Sequence, residues 1–355
     1  MKRRAFLQTA LAAPAWGLAV GNTRAEAAQW RSFLVTTKIE LARASGPARA
    51  WVPLPLAPDT DYQKLIDNSW RGNAVNVQLV KEARYGAAML YAEWQDSEQT
   101  PMLEVDSRFS TRDRVEQHRS APAVASKEEI ALYLKPTKLI PTDGLVLETA
   151  RKIVRAVADE EVAKARAIYD WVVENSFRDS KVKGCGIGDI SNMLETGNLG
   201  GKCADINSLF VGLCRASGVA ARDVYGIRVA DSRWGFKSLG KSGAISKAQH
   251  CRAEFYAAGY GWIPVDPADV RKVVLEEPPG NLPVGDAKVA AARKRLFGGW
   301  EMNWLAYNMG HDIGLPGASG PKLPYLMYIN AQTGGQMRDQ LDPDGVKYTI
   351  TSREV

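Results

Sequence analysis

The 355-residue chain contains a cysteine, a histidine and an aspartate whose types and order suit nucleophilic catalysis. Cys203 precedes His250 by 47 positions, and Asp266 follows His250 by 16. A thiolate attacks a carbonyl carbon, an imidazole accepts and returns the proton, and a carboxylate fixes the imidazole tautomer and stabilises its charged form. These groups are the ones that acyl transfer through a thioester requires. The sequence therefore predicts a catalytic group of Cys203, His250 and Asp266, provided that folding brings the three side chains together.

Cys203 lies at the predicted start of a helix. A glycine-rich loop (Gly197–Gly201) precedes it. An apolar stripe with helical spacing follows it: Ile206, Leu209, Phe210, Leu213 and Cys214. The unpaired N–H groups and partial positive charge of a helix N-terminus favour a thiolate. We expect Asp205 to cap this helix and Gly218 to end it. A small buried cysteine in an ordinary core helix is the alternative, and the two partners favour the catalytic interpretation.

His250 and Asp266 fall on the two strands of a predicted hairpin, Gln249–Ala257 and Gly261–Asp266. If the turn is 258–260, the histidine and the aspartate are diagonal neighbours on one face of the hairpin. A turn moved by one residue puts them directly opposite each other, and a register offset by one position puts them on opposite faces. The alternatives are a structural histidine and a turn aspartate before a proline.

The four cysteines include no pair with the C-x-x-C spacing of zinc or thioredoxin-like sites. Cys203 and Cys214 cannot form a disulfide, because the helix between them separates them by about 16 Å. The sequence does not decide whether Cys185 and Cys251 form a disulfide, and we interpret both as buried thiols. The glycine loop lacks the pattern of a phosphate-binding loop, since Thr196 stands where the first glycine belongs and no strand is predicted before it. We expect neither a metal nor a cofactor.

Residues 1–27 have the pattern of a secretory signal peptide. Arg3-Arg4 precede an apolar run, Thr9–Val20, and an A-x-A cleavage site at 25–27. The run is shorter than the roughly 20 residues that span a membrane. The arginine pair predicts the twin-arginine type, with a Sec signal as the alternative. We therefore expect a periplasmic or secreted protein without an integral membrane segment after signal removal. Loss of this peptide lowers the net charge from +6 to +3, which does not indicate nucleic-acid binding.

The first part of the mature chain has a period of two in hydrophobicity. The predicted strands are Phe33–Leu41, Ala48–Val52, Val75–Val80, Ala88–Trp94 and Met102–Phe109. Short strands separated by turn residues are typical of an antiparallel sheet or sandwich. The pattern predicts a β-rich N-terminal domain without a catalytic group of its own, and we expect His118 to be an exposed linker residue.

Helical periodicity follows. We expect a helix capped by Thr142 or Asp143, a second helix capped by Asp159, and a terminal hairpin at Gln340–Tyr348. A mean hydropathy of −0.25 is typical of a soluble protein, and the length suggests about two domains. The chain thus divides into a signal peptide, a β-rich N-terminal domain, a connector, a catalytic core and a C-terminal extension packed on the core, at residues 1–27, 28–118, 119–141, 142–275 and 276–355.

Three segments resemble the transglutaminase-like superfamily: Gly201–Asp205 at the helix start, Leu213–Arg222, and Trp262–Pro267 after a histidine on a strand. Clear resemblance covers about residues 142–270. It implies an α+β fold with a papain-like core, in which the helix that bears the nucleophile packs on an antiparallel sheet. By this resemblance Cys203 is the nucleophile, His250 is the general base and acid, and Asp266 orients the histidine.

The resemblance also implies an activity, that of an exported thiol enzyme that hydrolyses or transfers an amide acyl group. Its substrate would be a peptide, a protein or a cell-wall peptide. Ala204 stands where the family often has an aromatic residue that helps to exclude water, which disfavours protein cross-linking. Two alternatives stay open: a non-catalytic module that binds peptide or cell-wall material, and a protein-glutamine transamidase.

Overall fold

The computed structural model describes residues 29–355 apart from 43–45, 58, 97–99, 116–123, 319 and 343–344. The strands are β1 (Arg31–Leu41), β2 (Ala48–Pro53), β3 (Gln63–Gly72), β4 (Asn76–Lys81), β5 (Ala88–Trp94), β6 (Met102–Thr111), β7 (Phe177–Arg178), β8 (Gly200–Gly201), β9 (Ala221–Arg228), β10 (Gly243–Ala244), β11 (Gln249–Ala257), β12 (Gly261–Val265), β13 (Trp304–Asn308), β14 (Asn330–Thr333), β15 (Gln336–Met337) and β16 (Val346–Glu354). The α-helices are α1 (Lys127–Leu132), α2 (Gly144–Val154), α3 (Glu161–Asn175), α4 (Ile190–Thr196), α5 (Cys203–Ala216), α6 (Pro267–Glu276) and α7 (Ala287–Arg295). The predicted signal peptide and His118 lie outside the described residues. Among the described helices, none combines the length and the apolar character of a membrane span.

The centre of the molecule is α5, which packs on an antiparallel four-stranded sheet in the order β12-β11-β9-β13. The predicted stripe of α5 is buried, and so are its other residues through Arg215, because α2, α3, α4 and α6 also contact it. Gly212 permits the close approach of α4, since a Cβ there would lie 2.2 Å from Cδ1 of Ile190. A helix that begins at Cys203 and packs on an antiparallel sheet is the predicted α+β arrangement, which is thereby confirmed.

The N-terminal strands lie in two five-stranded antiparallel sheets, ordered β10-β16-β1-β6-β3 and β15-β14-β2-β5-β4. Inward-facing side chains of both sheets, such as Phe33, Leu90 and Phe109, share one apolar core. The predicted β-rich N-terminal region is therefore confirmed. Strand β3 was not predicted, because most of its residues are exposed and a bulge near Ile66 interrupts its alternation.

The C-terminal strands complete these two sheets. β16 pairs with β1 over 33–41, and β14 pairs with β2. The predicted hairpin at Gln340–Tyr348 is wrong, because Val346–Tyr348 belongs to β16 and pairs with the N-terminal strand. A turn signal is local, whereas the partner of a strand is decided by long-range packing. The chain instead turns between β14 and β15 at Gly334-Gly335, both with positive φ.

The predicted N-caps of α2 and α3 agree with the structure to within one residue. Asp143 is the N-cap of α2, whereas α3 starts after Glu160 and not after Asp159. Gly218 follows the C-cap of α5 with a φ of 86°, the left-handed conformation that ends many helices. The segment directly before the glycine loop is α4, which ends at Thr196, so no strand leads into the loop, as predicted. The last two residues of the loop itself form β8, which leads into α5 and was not predicted. A two-residue strand is too short to produce a periodic pattern.

Candidate active site

Cys203 is the first residue of α5, as predicted, and β8 leads the chain to it. Both glycines of β8 sit too close to neighbouring atoms for a side chain. A Cβ on Gly200 would lie 2.3 Å from Cζ of Phe177, and one on Gly201 would lie 2.4 Å from Cβ of Asp205. The cysteine is 3% exposed. Its position places the thiol at the N-terminus of a 14-residue helix, where a negative charge is stabilised.

Asp205 connects the start of α5 to a neighbouring loop through hydrogen bonds. Its Oδ2 accepts the N–H of Lys202 at 2.9 Å, which is the predicted capping role. Its Oδ1 accepts the N–H groups of Ile187 and Gly188 at 3.1 and 3.0 Å. Gly186 packs against the same carboxylate, because a Cβ there would lie 1.8 Å from Oδ2. The three N–H groups thus hold both carboxylate oxygens and fix the loop beside the nucleophile.

Strand β11 carries the histidine, and the aspartate directly follows β12 as the N-cap of α6. Ala257 pairs with Gly261, the register predicted from a turn at 258–260. Nε2 of His250 lies 2.8 Å from Oδ2 of Asp266, and both residues are buried. The two therefore meet on one face. This bond occupies Nε2, so Nδ1 is the ring nitrogen that remains for Cys203, and His250 lies close enough to this cysteine to lower the pKa of its thiol. The structure brings the three predicted side chains together.

A second carboxylate, which the sequence analysis missed, faces the same imidazole nitrogen. Oδ1 of Asp269 lies 3.4 Å from Nε2 of His250 and 2.5 Å from Nη2 of Arg228. Asp266 caps α6 by accepting the N–H of Asp269 at 3.0 Å, so the two carboxylates are one helical turn apart. The Asp-Pro-Ala-Asp sequence at a helix start was the signal that could have revealed this pair.

Two buried guanidinium groups balance the two carboxylates. Arg228 pairs with Asp269, and Nε of Arg252 lies 3.6 Å from Oδ2 of Asp266. Although burial acts against its charge, Arg228 and His250 hold the pKa of Asp269 well below its usual value. Burial and the charge of Asp269 raise the pKa of Asp266, and His250 opposes this shift. Asp269 is thus a fixed negative charge behind the histidine.

Two neutral side chains position the histidine and its partner. Asn207, one turn after Cys203 on α5, donates from Nδ2 to the carbonyl of Cys251 at 2.9 Å and to Oδ1 of Asp266 at 3.3 Å. The indole N–H of Trp304 on β13 donates to the carbonyl of His250 at 2.9 Å. An amide on the buried side of an apolar helix was the sequence signal for Asn207. The sequence contained no such signal for Trp304, because only the tertiary fold brings β13 to the sheet.

The surroundings of Cys203 favour its thiolate. Burial by itself would raise the pKa of the thiol. Hydrogen bonds from Cys185, Cys251 and His250, together with the charge of the imidazolium, nevertheless hold the pKa of Cys203 well below its usual value.

The surroundings of His250 favour its protonated form. Burial and Arg228 oppose the positive charge, but Asp269 and Asp266 raise the pKa of His250 to about 9. Because the thiol loses its proton at a lower pH than the imidazolium does, the two groups form an ion pair between their pKa values.

Three of the four cysteines meet at the site. Cys185, Cys203 and Cys251 are free and buried, and Cys185 and Cys251 both lie close enough to Cys203 to lower the pKa of its thiol. The disulfide between Cys185 and Cys251 that the sequence left open is absent in this structure, and their interpretation as buried thiols is confirmed. Cys214 is the remaining thiol, and it lies in the apolar core beneath α5.

One group of ligand atoms at this site has the spacing of a metal centre. Ligand atoms of His250, Asp266 and Asp269 lie within 4.8 Å of one another. Arg228 already pairs with Asp269, and Asp266 accepts hydrogen bonds from the histidine and from α6. A cation would have to compete with these bonds, so the group is better suited to orient an imidazolium than to hold a metal.

Comparisons with known proteins agree with this architecture. The family model described as the transglutaminase-like superfamily matches residues 148–267, an interval that contains Cys203, His250 and Asp266. A Haemophilus influenzae protein, described only as uncharacterized, is 37% identical over 329 residues, which is 88% of each chain. The solved structure of a candidate cysteine protease from Cytophaga hutchinsonii matches with a TM-score of 0.56 and 14% identity, over 92% of this chain and 91% of that one. This similarity supports the fold across both the sandwich and the core.

Proposed function

The chain belongs to the transglutaminase-like superfamily, and on that premise we propose that it is an exported thiol enzyme that hydrolyses or transfers amide acyl groups through a thioester on Cys203. The observation that carries this proposal is the position of Cys203 at the start of α5 beside His250, whose Nε2 lies 2.8 Å from Oδ2 of Asp266. A buried structural histidine would not require a thiol on one ring nitrogen and two carboxylates on the other. In this proposal Cys203 is the nucleophile, His250 is the general acid and base, and Asp266 orients the imidazole.

The proposed reaction starts from the thiolate–imidazolium pair. The thiolate of Cys203 attacks the carbonyl carbon of the amide, and the backbone N–H of Cys203 at the helix start stabilises the resulting oxyanion. His250 donates its Nδ1 proton to the leaving nitrogen as the carbon–nitrogen bond breaks, which leaves a thioester and a free amine. The neutral imidazole then takes a proton from water, and the hydroxide attacks the thioester. Release of the acid restores the thiolate and the imidazolium.

One feature supports hydrolysis over transamidation in this proposal. Ala204, a methyl group, follows the nucleophile where an aromatic side chain would help to exclude water. Peptides and cell-wall peptides carry the amide bonds that a thiolate can attack. We therefore propose a peptidase or amidase.

The experiment that tests this function is detection of the acyl-enzyme. The protein is incubated with a mixture of peptides that includes cell-wall stem peptides, quenched in acid and examined by mass spectrometry, with and without an added primary amine. We expect an acyl adduct on Cys203 and products that have gained water even when the amine is present. Products that incorporate the amine would indicate a transamidase. Peptides that bind but stay unchanged, without an adduct, would indicate a non-catalytic binding module.

Export is part of the proposal, and the twin-arginine pair makes it testable. We expect replacement of Arg3-Arg4 by two lysines to leave the unprocessed protein in the cytoplasm, because twin-arginine transport requires the arginine pair. The measurement is fractionation of cells that express the original or the altered full chain, with immunodetection in each compartment. Unchanged export of the lysine variant would mean that the signal is of the Sec type.

A further inference from the structure

We propose that Cys185 is a redox partner of the nucleophile: under hydroperoxide, Cys185 and Cys203 form a disulfide that reversibly blocks the site. This inference rests on the proposed function in one respect, namely that Cys203 is a reactive thiolate. It goes beyond that function because it assigns a covalent role to a thiol that forms no bond to the substrate in acyl transfer.

The backbone holds Cys185 against the start of α5. The N–H of Ala204 donates to the carbonyl of Cys185 at 2.9 Å, and the two thiols lie close enough for each to shift the pKa of the other. The thiol of Cys185 points between Cys203 and β11, where it lies 3.2 Å from the carbonyl of Gln249. A thiol held beside an oxidised cysteine reacts with it far faster than a thiol in solution does.

The loop that carries Cys185 is itself held in place. Asp205 binds the N–H groups of Ile187 and Gly188, and the hydroxyl of Tyr325 donates to the carbonyl of Gly186. The contact between the two sulfurs is therefore built into the fold and does not depend on a mobile segment.

Cys251 also contacts the nucleophile, but its backbone is far more constrained. It lies within β11, between β9 and β12, where it pairs with Tyr225, and its carbonyl accepts a hydrogen bond from Asn207. A disulfide needs the two sulfurs to move from contact to about 2.05 Å. Cys185 lies between Gly184 and Gly186, both with positive φ, outside any helix or strand. Its backbone can make this small adjustment, whereas a central strand cannot do so without disturbing the sheet.

The chemistry balances with a hydroperoxide as the only added reactant. The thiolate of Cys203 attacks the peroxide and the oxygen–oxygen bond breaks. Cys203 becomes a sulfenic acid, and the departing alkoxide or hydroxide takes the proton of the His250 imidazolium and leaves as an alcohol or as water. The sulfur of Cys185 then attacks that of Cys203, the sulfur–oxygen bond breaks, and the thiol proton leaves with the hydroxyl as water. The nearby Cys203 thiolate helps to raise the pKa of Cys185, and oxidation removes that negative charge. A dithiol reductant restores both thiols by exchange.

The test follows the oxidation of each cysteine by mass spectrometry. The full mature chain is treated with hydrogen peroxide, blocked with iodoacetamide, digested without reduction and mapped by mass spectrometry, before and after addition of dithiothreitol. We expect a Cys185–Cys203 disulfide that dithiothreitol reverses. In Cys185→Ser, whose hydroxyl can keep the bond to the Gln249 carbonyl, we expect Cys203 to advance to sulfinic acid. The fraction recovered by dithiothreitol should then fall on the order of tenfold.

Cys214→Ser and Cys251→Ser are the matched controls. Both should still form the Cys185–Cys203 disulfide, since neither removes the proposed partner. A disulfide between Cys203 and Cys251, or equal recovery of the original protein and Cys185→Ser, would overturn the inference. These outcomes are distinct from failure of the proposed function, which would appear as slow alkylation of Cys203 before any peroxide is added.

Discussion

Replacing Cys203 by alanine is expected to abolish acyl-enzyme formation and to lower amide turnover by on the order of 10⁴-fold or more. Without the sulfur, no nucleophile stands on the Nδ1 side of His250, and water must attack the amide directly. The fold should persist, because alanine is a good helix former at the first position of α5 and the side chain is small. The measurement is turnover on a peptide that the original protein cleaves, with the melting temperature recorded alongside.

Cys214→Ala is the matched control for that variant. It removes a thiol from the same helix, but from the apolar core. We expect it to lower the melting temperature more than Cys203→Ala does and to keep its turnover. If Cys203→Ala retains turnover, the nucleophile is another group and the proposed mechanism fails.

The second large effect is expected from the two carboxylates behind His250. Asp266→Asn should lower kcat/KM by on the order of 10- to 1000-fold, since an amide can occupy the carboxylate's place without stabilising the imidazolium. In a serine triad the corresponding replacement lowers kcat about 10⁴-fold. We expect less here because the thiolate–imidazolium pair exists before the substrate arrives and because Asp269 remains on the same nitrogen. The double variant, Asp266→Asn with Asp269→Asn, should lower kcat/KM by a larger factor than the product of the two single-variant factors.

The pH profile separates an orienting role from a structural one. Both carboxylates raise the pKa of His250 to about 9, so removal of either negative charge lowers that pKa. The alkaline limb of turnover, where the imidazolium loses its proton, should therefore move to lower pH in Asp266→Asn. An unchanged limb with a collapsed melting temperature would make Asp266 a structural residue.

The stability of these variants should also differ. Asparagine can still cap α6, so Asp266→Asn should melt close to the original protein. Asp286 is the N-cap of α7, which lies away from the site. Asp286→Asn therefore controls for the effect of the capping change alone. Asp269→Asn leaves Arg228 buried without its carboxylate. Removal of one partner of a buried ion pair lowers the free energy of unfolding by about 3–5 kcal/mol. Its turnover should be compared per folded molecule.

The features predicted well from the sequence are those with a local cause. The start of α5 follows from glycines and a 3.6-residue apolar period, and the register of β11 and β12 follows from the length of one turn. A period of two also sufficed for most of the sandwich strands, because one face of each is buried. These predictions need only the few residues around each element.

The features that the sequence did not reveal depend on packing between distant segments. β16 pairs with β1 across more than 300 residues, and no local pattern selects that partner. Asp269, Arg228 and Asn207 are ordinary polar residues until α5, α6 and β9 come together around the histidine. Cys185 is likewise a loop cysteine whose contact with the nucleophile exists only in the folded chain.

The most direct test of the central claim is the pH dependence of alkylation at each cysteine. Limited iodoacetamide treatment at a series of pH values, followed by mass mapping, gives a separate rate for Cys203 and for the other three thiols, and it requires no substrate. We expect Cys203 to react fastest, with a rate that changes little between about pH 6 and pH 8, because its thiolate is already formed. A Cys203 rate that rises about tenfold per pH unit up to the ordinary thiol pKa of about 8.5, as for an unactivated thiol, would contradict the thiolate–imidazolium pair and the mechanism built on it.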